Sequence, residues 1–494
     1  MLSVVEQTRL QVSKNTEVGK KSKLGQFFTP EKTAVFMSEL FPPANGVCRL
    51  LDAGAGIGSL SAAFLDRWNS GDLQFERVEL DAFEIDSSLR DHLIQTLTKY
   101  KNKSNFSHTV RISDFIHAAS DWTSGNLFAE VLPQYTHVIL NPPYKKISSD
   151  SAHRIALRQA GIETVNLYSA FLALAILLTE PGGQIVAIIP RSFCNGPYYR
   201  SFRKFILERS AIRHIHLFKS RNKAFKDDEV LQENIIMRLE RNAQQAAVTV
   251  STSTDDSFAD LITNEHSFDR IVFSDDPEQF IHIPTSVETN IQLYPAIHYA
   301  LSELDIKVST GPVVDFRLKE HLRNTPDIDS VPLLYPNHLN SSGRLEWPSI
   351  SIKKPNAIQF NQDTERWLYP NGFYCVVRRL SSKEEKHRIV ANVVDPSMFG
   401  HAKALGFENH LNLFHENKRG LPQVIAHGLA VFLNSTAADE SFRRFNGHTQ
   451  VNATDLKQMK YPSREALSQL GAWAIQCGAL TQTMIDSKIK AIAV

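Results

Sequence analysis

The stretch RLLDAGAGIG, residues 49–58, decides the fold of this 494-residue chain. Leu50 and Leu51 predict the end of a buried strand, the glycines predict a tight turn, and residues 59–68 have the apolar spacing of a helix. Glycine lets a ligand approach the backbone closely, and the first turn of a helix leaves N–H groups unpaired. The stretch therefore predicts a strand–turn–helix unit that binds a ligand at the carboxyl end of its strand.

The spacing of the glycines indicates the kind of ligand. They run GxGxG, whereas a dinucleotide fingerprint would run GxGxxG. This spacing is more similar to that of the loop that binds the methionine and adenosine parts of S-adenosylmethionine (SAM) than to that of an NAD-binding loop. The next strand, residues 78–85, reaches its end at Glu84, where the two hydroxyls of a nucleoside ribose would find an acceptor.

A third strand, around residues 110–113, is followed by Asp114 and Phe115. A carboxylate that accepts from an adenine amine and a ring that stacks on the base would complete a nucleoside pocket. The alternative for Asp114 is a cap on the helix that follows.

Asn141-Pro142-Pro143-Tyr144 follows a fourth apolar run, residues 137–140, and so lies at the same edge of the predicted sheet. The two prolines remove backbone donors, which leaves the asparagine amide and nearby carbonyls as acceptors beside an aromatic plane. This arrangement suits a planar ring that bears an exocyclic amine. The alternative is an ordinary proline-rich turn with an exposed tyrosine.

The alternation of apolar strands and helices continues to about residue 240 and predicts a doubly wound, mostly parallel α/β sheet. The last two strands, residues 212–218 and 235–239, are predicted to form an antiparallel edge. The polar run at residues 250–257 predicts a linker or an exposed strand. Beyond it, short strands and recurrent prolines predict a mixed α/β domain.

The composition is typical of a globular protein, with 42% hydrophobic residues, 22% charged residues and a formal net charge of +1. The four cysteines are far apart and form no CxxC pair, which argues against a disulfide framework or zinc site. The longest apolar run, about residues 168–178, is too short to span a bilayer, and no signal-peptide pattern is present. We expect a cytoplasmic protein that does not interact with membranes.

Taken in order, these motifs resemble the N6-adenine DNA methyltransferases of the gamma type. That family carries a Phe-x-Thr-Pro motif, here at residues 27–30, then the glycine loop, the acidic ribose contact, Asp-Phe and Asn-Pro-Pro-Tyr. Residues 308–311, 378–385 and 447–456 also look like stretches of modification enzymes from type II restriction–modification systems. The resemblance implies a basic N-terminal arm at residues 1–24, a SAM-dependent catalytic domain at 25–244 and a target recognition domain at 245–494.

The resemblance also implies roles for individual residues. The residues expected to hold SAM are Thr29, Pro30, Asp52, Gly54, Gly56, Glu84, Asp114 and Phe115. Asn141 and the Pro142 carbonyl would accept hydrogen bonds from the N6 amine of the target adenine. Tyr144 would stack on the flipped base, with Phe225 on its other face and Phe218 as the alternative to Phe225.

Basic residues of the second half are candidates for contacts with DNA phosphates or base edges. They are Arg378, Arg379, Lys383, Arg443 and Arg444. Their alternative is a solvated surface or ion pairs with interspersed acids. The expected partner is double-stranded DNA containing a short recognition site, and the chain is expected to act as a monomer. A separate restriction endonuclease would be the functional partner, without a stable complex.

SAM is an activated methyl donor, so we expect no metal in the reaction. RNA and a protein glutamine amide remain as alternative substrates, since the methyltransferases that act on them share Asn-Pro-Pro-Tyr. A fused nuclease–methyltransferase and a catalytically silent DNA-binding subunit are alternatives of another class. The long second domain and the Phe-x-Thr-Pro motif favour methylation of DNA.

Overall fold

The computed structural model describes residues 2–15, 25, 27–101, 104–126, 131–219, 233–284, 296–339, 345–349, 353–381, 385–447 and 449–492. The chain divides into two compact units, Met1–Thr285 and Ser286–Val494. The predicted boundary, between residues 244 and 245, lies earlier in the chain.

One nine-stranded sheet forms the centre of the first unit, with the strand order β3-β2-β1-β4-β5-β7-β6-β8-β9. Its strands are β1 (Asn45–Ala53), β2 (Gln74–Glu84), β3 (Phe106–Ile112), β4 (Tyr135–Leu140), β5 (Thr179–Pro190), β6 (Ser210–Phe218), β7 (Asn234–Arg241), β8 (Val248–Ser253) and β9 (Ile262–His266). Among β1 to β5, every pair of neighbouring strands is parallel. In this register Asp52 pairs with Ala82 of β2 and Ile139 of β4, so the carboxyl ends of three strands meet beside the glycine turn.

Helices cover both faces of this sheet, which confirms the predicted doubly wound fold. They are α1 (Leu2–Asn15), α2 (Glu31–Glu39), α3 (Ser59–Ser70), α4 (Arg90–Thr98), α5 (Phe115–Thr123), α6 (Ala152–Gln159), α7 (Leu167–Leu178) and α8 (Arg200–Arg209). Apolar side chains of α1–α4 pack on one face, against Leu50 and Ile139, and those of α5–α8 pack on the other, against Leu51 and Val138. Successive strand residues point to opposite faces, so each strand contributes to both cores.

Residues 2–15 of the predicted N-terminal arm form the helix α1. Leu2 and Val5 are buried in the core on that face of the sheet. Arg9 is also buried, and its guanidinium donates to the Glu6 carboxylate at 2.7 Å and 2.9 Å. Lys14 lies in the last turn of α1, and the other basic residues of the arm, at positions 20, 21 and 23, lie outside the described residues.

The predicted antiparallel pair is present, but it does not end the sheet. Strand β7 is antiparallel to both β5 and β6, and β8 and β9 extend the sheet beyond β6. The prediction of a linker or exposed strand at residues 250–257 is wrong for β8, in which five of six residues are buried.

A histidine–serine network explains how such a polar strand is buried. The Ser251 hydroxyl bonds to His214 Nε2 at 2.7 Å and to His216 Nδ1 at 2.8 Å, and the Ser253 hydroxyl bonds to His216 Nε2 at 3.2 Å. Burial lowers the pKa of His216 to about 3, so its ring stays neutral and exchanges hydrogen bonds with the hydroxyls. Paired polar groups cost far less to bury than orphaned ones.

The described residues of the second unit form three small sheets. Their strand orders are β10-β20, β11-β19-β16-β17 and β12-β14-β13-β18-β15. The strands are β10 (Ile297–Tyr299), β11 (Lys307–Thr310), β12 (Leu322–Arg323), β13 (Ser330–Leu334), β14 (Ala357–Gln359), β15 (Tyr369–Pro370), β16 (Tyr374–Arg378), β17 (Ala391–Val394), β18 (Ala404–Phe407), β19 (Leu411–His415) and β20 (Tyr461–Pro462). The helices are α9 (Gln423–Leu433), α10 (Thr436–Phe445), α11 (Ala453–Gln458), α12 (Arg464–Cys477) and α13 (Gln482–Ile492). This is the predicted mixed α/β architecture. Among the described helices of both units, none has the length and apolarity needed to cross a membrane.

Helices α9 and α12 cross at two glycines. A Cβ atom at Gly428 would overlap the Leu467 carbonyl, and one at Gly471 would overlap the Val424 carbonyl. The two backbones can therefore approach this closely only because neither position carries a side chain.

We expect Gly428→Ala to lower the free energy of unfolding of the second unit by about 3 kcal/mol, since a backbone carbonyl cannot move aside as a side chain would. Urea unfolding of the full-length chain would measure the effect. Ser468→Ala, on the same helix as Gly471, is the matched control and should change stability little. A Gly428→Ala protein as stable as the control would mean that the helices can separate at no cost.

Candidate active site

A cavity of about 200 Å³ opens at the carboxyl ends of β1, β2, β3 and β4. Seven of the residues proposed from the sequence line it together: Thr29, Gly54, Gly56, Glu84, Asp114, Phe115 and Asn141. The remaining lining includes Phe27, Phe28, Pro143, His153 and Phe171. The structure therefore brings most of the predicted cofactor residues, and the asparagine of the tetrapeptide, to one cavity.

The glycine turn forms one wall of this cavity. The N–H groups of Gly54 and Ala55 both donate to the Phe83 carbonyl, at 2.9 Å and 2.8 Å, which ties the turn to β2. Gly54 and Gly56 have φ values of +80° and +57°, a conformation that favours glycine. A Cβ atom at Gly56 would lie 3.4 Å from the Phe28 ring, so a side chain there would fill space that the cavity needs.

Glu84 is buried at the tip of β2 and is held by two backbone groups. Its Oε2 accepts from the Gly56 N–H at 2.8 Å and its Oε1 accepts from the Asp86 N–H at 2.7 Å. Burial raises the pKa of the Glu84 carboxyl, while these two N–H groups lower it. Each carboxylate oxygen keeps a further lone pair, so the group can accept from two hydroxyls of a ligand.

Asp52 does not line the cavity, unlike the other acidic residues proposed. Its side chain is fully buried beneath the glycine turn, where Oδ2 accepts from the Ser61 hydroxyl at 2.6 Å. Burial raises the pKa of the Asp52 carboxyl to about 7, against the opposing effect of the Ser61 hydrogen bond. In this position Asp52 supports the start of α3.

Thr29 and Pro30 directly precede α2, and the hydroxyl of Thr29 does not cap that helix. The helix begins at Glu31 with Pro30 as its N-cap residue and without a side-chain cap. Thr29 Oγ1 instead accepts from Asn141 Nδ2 at 3.0 Å. The motif therefore connects the start of α2 to the tetrapeptide. Thr29 lines the cavity, whereas Pro30 does not.

Asp114 serves as a helix cap and also faces the cavity. Its Oδ1 accepts from the N–H groups of Ile116 and His117, at 2.9 Å and 3.2 Å, and so caps α5. Its Oδ2 lies 2.6 Å from His153 Nε2. Burial would raise the pKa of the Asp114 carboxyl, but the hydrogen bond and charge of His153 outweigh it, and the pKa is lowered. The hydrogen bond to Asp114 raises the pKa of His153.

Phe115 presents its ring to the cavity from a packed position. Its ring centroid lies 5.2 Å from that of Phe83 and 5.0 Å from that of Phe171. Because all three rings line the cavity, this part of its wall is apolar and aromatic. Such a wall suits a purine ring.

The hydrogen bonds of Asn141 determine how its amide is oriented. Asn141 Nδ2 donates to the Phe27 carbonyl at 3.0 Å, and a carbonyl can only accept. Oδ1 therefore points the other way, where it accepts from the Tyr144 hydroxyl at 3.1 Å. Asn141 is 8% exposed and lines the cavity, and its acceptor oxygen is held by the Tyr144 hydroxyl.

Tyr144 lies beside Asn141 rather than in the wall of the cavity. Its ring is 5.4 Å from that of Phe27 and 6.3 Å from that of Tyr168. Its hydroxyl is also 3.2 Å from the Ile188 carbonyl, and its N–H donates to the Gly25 carbonyl at 3.0 Å. Burial raises the pKa of Tyr144, so the phenol is neutral.

The remaining residues proposed around the target base have different outcomes. Pro142 is buried and does not line the cavity. Phe225 lies outside the described residues. Phe218, its alternative, is 2% exposed and packs against Phe258 and His216 in the core, so it is not available to stack on a base.

Among the five basic residues proposed for DNA binding, Arg378, Arg379 and Arg443 make contacts within the second unit, and Arg444 also has an interaction partner. Arg378 pairs with Glu385 at 3.0 Å, and Arg443 pairs with Asp439 at 2.6 Å. Arg379 donates to the Asn409 carbonyl at 3.2 Å. Arg444 is half-buried in the last turn of α10, and Lys383 lies outside the described residues.

Sequence reasoning missed Phe28 and His153 as parts of the site. Phe28 belongs to the quoted Phe-x-Thr-Pro stretch, so its position there was a usable signal. His153 lies 39 residues from Asp114 in the chain, and no pattern in the sequence connects the two.

Comparison with known proteins places the whole chain among restriction–modification proteins. Residues 10–225 match the family model described as Eco57I restriction-modification methylase. The chain is 51% identical to the type II methyltransferase M.BsuBI of Bacillus subtilis, over 99% of this chain and 97% of that protein. It is 43% identical to the type II methyltransferase M.PstI of Providencia stuartii, over 95% of this chain and 92% of that protein.

A solved structure shares the fold over both units. The cryo-electron microscopy structure of a DrdV–DNA complex matches with a TM-score of 0.52 and 13% identity, over 94% of this chain and 58% of that chain.

Proposed function

Because this chain belongs to the type II DNA methyltransferases of restriction–modification systems, we propose that it methylates adenine at N6. The methyl donor is SAM, and the substrate is an adenine flipped out of a specific site in double-stranded DNA. The methyl group then protects that site from a cognate restriction endonuclease.

The orientation of the Asn141 amide carries this proposal. The Phe27 carbonyl and the Thr29 hydroxyl both accept from Nδ2, so Oδ1 is the side-chain atom that can accept from a ligand, and Asn141 lines the cavity that holds the predicted cofactor residues. An amine placed there would donate to Oδ1, and the Tyr144 hydroxyl, which now occupies that oxygen, can keep its bond to the Ile188 carbonyl. An exocyclic amine on a planar ring therefore fits the acceptor and the tyrosine beside it.

The cavity also fits SAM. Glu84 offers free lone pairs to a ribose, Phe115 and its neighbours offer an aromatic wall to adenine, and the turn at Gly54 and Gly56 leaves room for a ligand at its backbone. SAM carries its methyl group on a positively charged sulfur. This charge makes the methyl carbon a strong electrophile.

The residues of the chain then act by position and electrostatics. The lone pair of an adenine amine is delocalised into the ring, so the nitrogen is a poor nucleophile. Acceptance of its hydrogens by Asn141 Oδ1 and the Pro142 carbonyl would favour a pyramidal nitrogen whose lone pair points at the methyl carbon. With SAM bound, the amine nitrogen would take the methyl group as the S–C bond breaks and its electron pair stays on sulfur, and the nitrogen would release one proton to solvent.

Base flipping follows from the geometry of duplex DNA. An adenine inside the duplex cannot reach a cavity at the end of a sheet, and extrusion costs a few kcal/mol of stacking. Tyr144 would replace part of that stacking on one face of the base. Phe225 stays a prediction for the other face.

Recognition of the DNA sequence is assigned to the second unit. Its exposed basic side chains would contact phosphates, and the ion pairs of Arg378 and Arg443 would hold other side chains in place. The matching DrdV structure contains DNA, which agrees with this assignment.

Transfer of labelled methyl from SAM to unmethylated duplex DNA tests the proposal, with digestion of the product to nucleosides. We expect the label in N6-methyladenine. DNA first methylated to completion with unlabelled SAM is the control and should take up no label. Label in cytosine, or none in DNA from a protein that binds SAM, would contradict the proposal. In the latter case the same assay with RNA and with protein would examine the alternative substrates.

A further inference from the structure

Three side chains with metal-binding atoms meet at the edge of the cavity. Asp114, His117 and His153 each offer one ligand atom, and the three atoms lie within 4.8 Å of one another. Asp114 is the N-cap of α5, His117 lies in the first turn of α5, and His153 lies in the first turn of α6. Two helix starts and one cap thus hold the cluster in place.

The donor types indicate the class of ion. Two imidazole nitrogens and one carboxylate oxygen are typical ligands of zinc and of other late divalent transition metals, whereas Mg²⁺ and Ca²⁺ prefer oxygen alone. Ligands about 2.0 Å from a tetrahedral ion lie about 3.3 Å apart. Asp114 Oδ2 and His153 Nε2 are 2.6 Å apart, so they need to separate by less than about 1 Å to admit the ion.

Asp114 can contribute Oδ2 without loss of its structural role. Its Oδ1 accepts from Ile116 and His117 and continues to cap the helix. The rings of His117 and His153 lie with their centroids 5.0 Å apart, close enough for one nitrogen of each to reach the same ion. The positive ends of two helix dipoles and the nearby Lys145 oppose a cation, which will limit the affinity.

We propose that Asp114, His117 and His153 bind one divalent transition-metal ion of the zinc type. The ion takes no part in methyl transfer. It occupies Asp114 Oδ2, the oxygen that would otherwise accept from the adenine amine of the cofactor. Metal and cofactor therefore compete for the Asp114 carboxylate. The competition, unlike the metal site itself, rests on the proposed function.

The test is calorimetric titration of metal-free full-length protein with Zn²⁺, with Co²⁺ absorbance as a report on coordination. His117→Ala and His153→Ala should each weaken the site by at least about tenfold, since loss even of groups that support a ligand costs about 10–100-fold. His401→Ala, which removes an exposed histidine of the second unit, is the matched control and should bind Zn²⁺ like the wild type.

Two results would overturn the metal site: no saturable Zn²⁺ binding, or equal binding by the wild type and both histidine variants. The competition is tested by titrating SAM with and without Zn²⁺. Zn²⁺ should weaken SAM binding in the wild type but not in His117→Ala, and equal SAM affinity in a zinc-loaded wild type would refute competition. A protein that binds Zn²⁺ at these residues but transfers no methyl group to DNA would refute the proposed function and leave the metal site in place.

Discussion

Replacement of Asn141 by alanine is expected to lower kcat by about 10²–10³-fold, the usual effect of removing one preorganised polar group that acts in the transition state. Asn141 is the residue of the tetrapeptide that both lines the cavity and has a side-chain acceptor. Its loss leaves the adenine amine with one of the two contacts that would direct its lone pair. Because Glu84, Phe115 and the glycine turn remain, the affinity for SAM should change little. Single-turnover methylation and SAM titration would separate the two effects.

Asn166→Ala is a matched control for this variant. Asn166 is also a buried asparagine of the first unit, and its amide donates to the Tyr199 hydroxyl at 2.7 Å. It does not line the cavity. Its replacement should reduce kcat much less than Asn141→Ala. Equal losses in the two proteins would indicate that Asn141 supports the fold rather than the reaction.

Replacement of Glu84 by alanine is expected to weaken SAM binding by about 100-fold. Hydrogen bonds to a charged group contribute about 1.5–3 kcal/mol each, and the carboxylate would accept from the ribose while it also holds the Gly56 and Asp86 N–H groups. Glu84→Gln keeps one acceptor oxygen and should show an intermediate loss. Calorimetric titration with SAM would measure the SAM affinity of the wild type, Glu84→Ala and Glu84→Gln.

Asp86→Asn controls for the loss of a nearby carboxylate. Asp86 is two residues away and caps the following turn by accepting from the Ser88 N–H at 3.0 Å, a role that asparagine can also fill. It does not line the cavity, so SAM affinity should be close to that of the wild type. Unchanged SAM affinity in Glu84→Ala would exclude Glu84 as the ribose ligand.

The family and the catalytic fold could be predicted from the sequence, and the comparisons confirm both. The reason is that the signals are local. Apolar runs define the parallel strands, and the proposed functional residues lie at their carboxyl ends, as Glu84 ends β2 and Asn141 follows β4. Strand ends that share a sheet edge must come together, so six of the seven proposed residues meet at one cavity, and Thr29 joins them through its bond to Asn141.

The errors have the opposite cause, since they depend on contacts between distant residues. Strand β8 is polar, and its burial depends on His214 and His216, which lie 35–37 residues earlier. The apolar periodicity of the sequence cannot reveal these contacts between β6 and β8. The assignment of Asp52 to the cofactor stays a prediction, since its side chain bonds to Ser61 and does not line the cavity.

The burial of β8 also determines where the chain can be cut. A fragment that ended at residue 244, the boundary predicted from the sequence, would lack β8 and leave one side of β6 without backbone partners. His216 would lose both of its serine partners in the same fragment. An unpaired strand of this kind is a template for aggregation. A fragment made to contain the first unit should therefore extend to Thr285, where the compact unit ends.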